Sequence, residues 1–392
     1  MPPPPRSPVY LDYHATTPVD PRVLDAMLPY FTERFGNPNS RQHAWGWEAE
    51  KAVDAARAQI AALINASASE IVFTGGATES NNLAIKGIVA RLRDRGSRIV
   101  TAATEHKSVL DTCATLRGQG LDVRVVGVRR DGLIDLDALS DAVTTETILV
   151  SVMAANNEIG TLQPLAEIAT IAHECGALLH TDAAQAAGKI PLDVRAMGID
   201  LLSLTGHKIY GPKGCGALFV AKRKPKLLPV AQLDGGGQES GVRSGTLNVP
   251  GIVGLGAAAE ICRLEMPQES ARLSSLRDRL LDRLRGTLDG IRVNGSMERR
   301  LPHNLHVSFE RVEGERLLMA LGDLAVSTGS ACSSGSQAPS HVLQAIDAVS
   351  DDAGASIRFG LGRSTTAADV DFAAERVIAV VSALRRSATA AS

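Results

Sequence analysis

The sequence predicts an α/β protein: a mainly parallel sheet of about seven strands covered by helices, with a smaller α+β domain. Two observations predict it. Short apolar runs alternate with helix-length patterns over the first two thirds of the chain, and those runs are apolar at nearly every position. Strands buried on both faces read that way, and strand–helix alternation favours parallel pairing. From about residue 251 the pattern changes to one long helix, then a few strands and closing helices.

The elements follow in order. The proline-rich start, "MPPPPRSPVY", reads as a frayed tail; it lacks the apolar or Arg-rich pattern of a targeting segment. Asp20 suits a helix cap, Pro21 the first helical position and Gly36 the stop. Residues 45–64 read as a second helix. "EIVFT" opens the sheet, followed by two glycines and a helix from about Thr78. "SRIVTA", "VRVVGV", "TILVSVM", "ALLHT", "DLLSL" and "CGALFV" supply the other strands, with helices such as 164–175 between them. Residues 251–285 read as helix, and "IRVNG" and "NLHVSFE" as strands. The expected division is a large domain over 17–263 and a small one made of 1–16 with 264–392.

Composition narrows the function classes. The 392 residues carry 41 basic and 43 acidic side chains, a net charge of −2, so direct binding to nucleic acid or an anionic membrane is not expected. No apolar stretch approaches the ~20 residues of a membrane span. Five cysteines, at 113, 175, 215, 262 and 332, are odd in number and no two are closer than 40 residues, so neither a disulfide framework nor a metal spacing is visible. A cytoplasmic protein with reduced thiols is expected.

In open α/β sheets ligands bind beyond the carboxyl ends of strands. After "EIVFT" come Gly75, Gly76, Ala77 and Thr78, a helix start able to receive a phosphate or simply a turn. After "RIVTA" comes His106, and after "TILVSVM" come Asn156 and Asn157. Asp182 and Gln185 follow "ALLHT"; the aspartate suits a helix cap or a buried charge. "TGHKIYGPKG" looks like a phosphate loop but has Pro212 and Lys213 where GxxxxGK[ST] needs Lys and a hydroxyl, and a strand follows at once. One cofactor reconciles these pieces. Pyridoxal 5'-phosphate needs a lysine for its Schiff base, an acid for its ring nitrogen and an anion site. Lys208, Asp182, Gln185, His106, Thr78, Thr205 and His207 supply such a set.

"YLDYHATTP", "FGNPNS", "GGATESNNLAIKG", "TEHKSVL", "NNEIG", "HTDAAQ", "GHKIYGPKG", "GGGQESGVRSGT", "STGSACSSGS" and "IRFGLGR" together resemble the cysteine desulfurases of the nitrogen-fixation and housekeeping iron–sulfur type, in the class V aminotransferase superfamily. The resemblance runs from about Val9 to Arg363. It implies the fold-type I pyridoxal-phosphate architecture and conversion of L-cysteine to L-alanine, with sulfur passed on from a cysteine persulfide. It implies Lys208 as the Schiff-base lysine, Asp182 and Gln185 on the ring, and His106 stacked on it and moving protons. Ala77, Thr78, Thr205 and His207 hold the phosphate, and Thr246 reaches the phosphate of a neighbouring subunit in a homodimer. Asn157 and Arg358 match positions for the substrate carboxylate, with Asn37 in the same pocket. No metal is implied. A selenocysteine lyase or another class V pyridoxal-phosphate enzyme is the alternative.

The run "STGSACSSGS", residues 327–336, is Ser, Thr or Gly at eight of ten positions, with Cys332 at its centre. It reads as a long mobile loop, about 327–340, that carries the catalytic thiol. By resemblance, that loop type hands sulfur directly to a scaffold or carrier protein, towards iron–sulfur clusters or thiolated tRNA, cofactors or DNA. An unperturbed thiol has a pKa of about 8.5, and the run contains no Lys or Arg to lower it. Activation is therefore expected on arrival at the ligand. Alkylation of Cys332 by iodoacetamide should run at different rates with and without bound substrate; equal rates contradict this.

Overall fold

A computed structural model describes residues 8–223, 227–328, 340–348 and 355–391. The proline-rich tail and Cys332, with most of its Ser/Gly run, lie outside the described residues.

The strands in chain order are β1 (Val9–Tyr10), β2 (Ile71–Thr74), β3 (Arg98–Ala102), β4 (Asp122–Val126), β5 (Thr147–Ser151) and β6 (Leu178–Asp182). They continue with β7 (Leu201–Thr205), β8 (Gly216–Val220), β9 (Ile291–Val293), β10 (Asn304–Phe309), β11 (Leu324–Ala325) and β12 (Ser356–Gly360). Among the described residues β2 to β8 form one sheet in the order β2-β8-β7-β6-β5-β3-β4. All its pairings are parallel except the two that β8 makes with β2 and β7. The expected architecture is the one observed. Its cause is visible in the strands: Val100, Val150, Leu179 and Leu202 face one apolar cluster, while their neighbours Ile99, Leu149, Leu178 and Leu201 face another. Both faces are thus buried, which is why the runs are apolar throughout.

The first cluster packs under helices Ala44–Leu63 and Val249–Arg285, the second under Ala77–Leu92 and Lys107–Gly118. A third cluster gathers β10, β12, helix Ala367–Ala391 and the far end of Val249–Arg285. That 37-residue helix serves two clusters, with Ile252 to Cys262 in one and Leu273 to Leu284 in the other. Position 264 lies between those stretches. β9, β10 and β12 form an antiparallel sheet in the order β12-β10-β9. The start of the chain joins this part, because β1 pairs with β11 and Leu11 is buried in the third cluster.

One expected helix is broken. Asp20 does cap it, accepting from Arg22 N at 3.0 Å, but the helix covers Pro21–Met27 and a separate turn covers Pro29–Thr32. Pro29 has no N–H to continue the ladder, so the single run towards Gly36 does not form. Among the described residues no helix is long and apolar enough to cross a membrane.

Gly216 sets how closely the sheet meets the Gly76 turn. A Cβ there would stand 2.6 Å from Gly76 Cα and 2.6 Å from Leu204 O, both backbone atoms. Gly216→Ala should cost about 2–3 kcal/mol in urea denaturation, as overpacking against backbone does. An unchanged midpoint contradicts this packing.

Candidate active site

The parallel strands end on one edge, and their following residues line a single cavity of about 840 Å³. Ala77 and Thr78 come from the turn after β2, His106 from β3 and Asn157 from β5. Asp182 and Gln185 come from β6, and Thr205, His207 and Lys208 from β7. Arg358 enters from β12. Two expected residues do not line this cavity. Thr246 is exposed, and Asn37 is exposed with Oδ1 turned back to accept from Asn39 N at 3.0 Å.

Lys208 ends the short turn after β7, and its Nζ donates to His14 O. Asp182 closes β6. Its Oδ2 accepts from Asn81 Nδ2 at 2.7 Å and its Oδ1 from Ala184 N at 2.9 Å. Asn81 also donates to Ser108 Oγ at 2.8 Å. Ser108 N donates to His106 Nδ1 at 3.1 Å, and Ser108 Oγ stands 2.9 Å from the same nitrogen. An Nδ1 that accepts leaves the proton of a neutral His106 on Nε2. Burial pushes the His106 imidazole below its ordinary value; Lys208 and His341 push the same way, and Asp182 opposes them.

Helix Ala77–Leu92 opens after Gly76, whose φ is +148° and whose side no side-chain cap occupies. Its first N–H groups and its dipole therefore face the cavity with an anion's complement. Thr205 Oγ1 would lie 3.7 Å from a Cβ at Gly76, so the missing side chain leaves room beside that hydroxyl. His207, pushed down to about 4 by burial and by Lys208, is neutral near pH 7. Arg358 is only 1% exposed; Nη2 pairs with Asp12 Oδ1 at 2.8 Å and Nη1 donates to Asn157 O at 2.8 Å. Its Nε is buried without a partner among the described residues.

Residues 9–372 match the sequence profile of the family aminotransferase class-V. The chain belongs to that family. Cysteine desulfurase IscS of Anaeromyxobacter sp. (strain K) is 57% identical over 366 residues, 93% of this chain and 90% of the relative. A solved NifS-like protein superposes with a TM-score of 0.89 at 37% identity, over 96% of this chain and all of that one. SspA, solved in complex with cysteine, gives a TM-score of 0.80 at 39% identity, over 90% and 98% of the two chains.

This class-V site has members that spacing did not reveal. His14, Asn81 and Ser108 come from a turn and two helices, and no short motif links them to Asp182 or Lys208. Two buried acids stand behind the wall. Glu105 accepts from Met153 N at 2.7 Å, and burial pushes its carboxyl well above the ordinary value. Glu158 accepts from Ser340 Oγ at 2.5 Å and is pushed up to about 7 by burial, against Ser340 and Arg358. A folded state that keeps this proton while the unfolded chain loses it near 4.5 is destabilised as pH rises from about 4.5 to 7. Glu158→Gln should remove a fall on the order of 3 kcal/mol between those pH values in urea denaturation. An identical fall in both proteins contradicts the burial of a neutral Glu158.

Proposed function

We propose that the protein is a cysteine desulfurase that uses pyridoxal 5'-phosphate to convert L-cysteine to L-alanine and keeps the sulfur as a persulfide on Cys332. The observation that carries the proposal is one cavity holding a lysine, a strand-end carboxylate, a neutral imidazole and an uncapped helix N-terminus. The 57% identical relative and the cysteine complex of SspA support the same reading.

The residues present fit the cofactor. Lys208 would hold it covalently, and Asp182, fixed by Asn81 and Ala184, would face its ring nitrogen. Gln185 would reach the ring oxygen and His106 the ring face. Ala77, Thr78, Thr205 and His207 would bind the phosphate at the start of helix Ala77–Leu92. When bound, the group supplies an electron sink for breaking bonds at the substrate's Cα and Cβ.

The chain's own residues set the rest. Arg358, with Asn157, takes the substrate carboxylate, and the unpartnered Nε is a donor left for it. That grip orients the Cα–H bond. The amine of Lys208, once released, removes the Cα proton. The neutral His106 holds a proton on Nε2 for transfer near the leaving sulfur. The thiolate of Cys332 forms a bond to the substrate sulfur as the Cβ–S bond breaks. Cysteine and a thiol thereby become alanine and a persulfide, with atoms in balance. Thr246, outside this chain's cavity, serves the phosphate site of a second copy in a homodimer. Residues 17–263 form the cofactor-binding domain, and 1–16 with 264–392 the small domain that carries Cys332. The persulfide passes to a scaffold or carrier protein in the cytoplasm, in iron–sulfur cluster assembly or a related thiolation.

Cys332→Ser should lower alanine formation from cysteine by about 100-fold or more while the cofactor's visible absorption stays. Lys208→Ala should abolish both. Turnover of Cys332→Ser at the parent rate would point to a class V enzyme without sulfur transfer.

A further inference from the structure

His14 lines the cavity and is fully buried, yet no role in the reaction falls to it above. Its ring stacks on His303 at 4.4 Å with an interplanar angle of 28°. Its carbonyl oxygen accepts from both Lys208 Nζ and Gln185 Nε2, the latter at 3.0 Å. Its Nδ1 stands 3.0 Å from Gln185 Oε1, and its Nε2 stands 3.0 Å from Asn304 Nδ2.

The protons in this cluster are fixed from both ends by groups that can only donate or only accept. Arg300 Nη1, donor only, gives its proton to Asn304 Oδ1 at 2.7 Å. Asn304 Nδ2 donates to Glu158 O, acceptor only, at 2.9 Å. The amide of Asn304 therefore presents N–H to His14 Nε2, which must be bare. At the other end His14 O can only accept, so the Gln185 atom beside it is Nε2, and Oε1 faces the ring. The proton of His14 then sits on Nδ1 and goes to Gln185 Oε1. Arg358, Lys208 and Lys189 all face His14, and their charges add to burial in holding the ring neutral.

We propose that His14 is a positioning residue: the chain Arg300–Asn304–His14 fixes its tautomer and so clamps the Gln185 amide with its second N–H turned to the cavity. An amide held along one edge by Oε1 and one N–H points the other N–H away. The group that Gln185 meets must then be an acceptor. On the functional reading above, on which this rests, that group is the cofactor's ring oxygen, kept in its anionic form. An N–H given to this oxygen helps most when the neighbouring nitrogen, supplied by Lys208, carries no proton. The donor therefore lowers the pKa read from the bound cofactor's absorption.

The test compares the parent protein, His14→Asn and His14→Gln, each loaded with pyridoxal 5'-phosphate and titrated by visible absorption. The Asn amide can place a donor where Nδ1 was; the Gln amide can meet Asn304 but has no donor at the Nδ1 position. His14→Gln should raise the observed pKa by about one unit, and His14→Asn should restore the parent value. Equal pKa values in all three, or the same shift in both variants, overturn the proposal. Should His14→Gln fail to fold, nitrogen-15 NMR of the His14 ring in the parent protein decides: a proton on Nδ1 is expected, and a proton on Nε2 overturns it. A parent protein that shows no visible band after loading overturns the functional reading itself, whereas a titrating band with unmoved variants overturns only the role of His14.

Discussion

Arg358 is the largest fully buried side chain among the described residues, and three parts of the chain are held around it. A guanidinium out of water costs several kcal/mol unless charge and hydrogen bonds answer it. Asp12 comes from the start of the chain, Asn157 from beyond β5, and Ser327 O accepts from the Arg358 backbone at 2.7 Å. The two termini and the large sheet thus meet at one cation. Removing Asp12 or displacing the Asn157 carbonyl leaves that buried charge short of an acceptor. The same residue lines the cavity, so the demand that ties the fold together also places a cation at the cavity wall.

The sheet meets this cation with a second constraint. Parallel strands must return by crossovers, so their carboxyl ends fall on one edge. Residues from 77 to 208 come together there although they are far apart in sequence. β8 runs the other way, which brings its first residue, Gly216, beside both Thr74 and Thr205. That close approach needs a glycine, and it presses the Gly76 turn against the strand that leads to Lys208.

The strands were legible because burial on both faces leaves an unbroken apolar run. The residues that follow each run were legible as site candidates for the same reason. The direction of β8 was not legible, since an antiparallel strand within a covered sheet has the same composition as a parallel one. The break at Pro29 could have been read from the proline itself. His14 and Asn81 lie inside the motifs that carry the resemblance, and Asn304 opens a strand run, but their parts in the site were not legible: each makes hydrogen bonds to residues more than 90 positions away, and spacing along the chain says nothing about such pairs. Glu158 and Glu105 sit beside Asn157 and His106 in sequence, yet the burial that raises their carboxyl pKa values depends on packing that no local pattern encodes.

Sulfur retention by the protein is what separates a desulfurase from the other chemistry this cavity could support. Mass spectrometry of the protein after brief exposure to L-cysteine, with alanine counted in parallel, measures it most directly. The peptide containing Cys332 should gain one sulfur atom that a thiol reductant removes, with one alanine formed for each sulfur bound. Alanine formed alongside free sulfide, with Cys332 never modified, would contradict it.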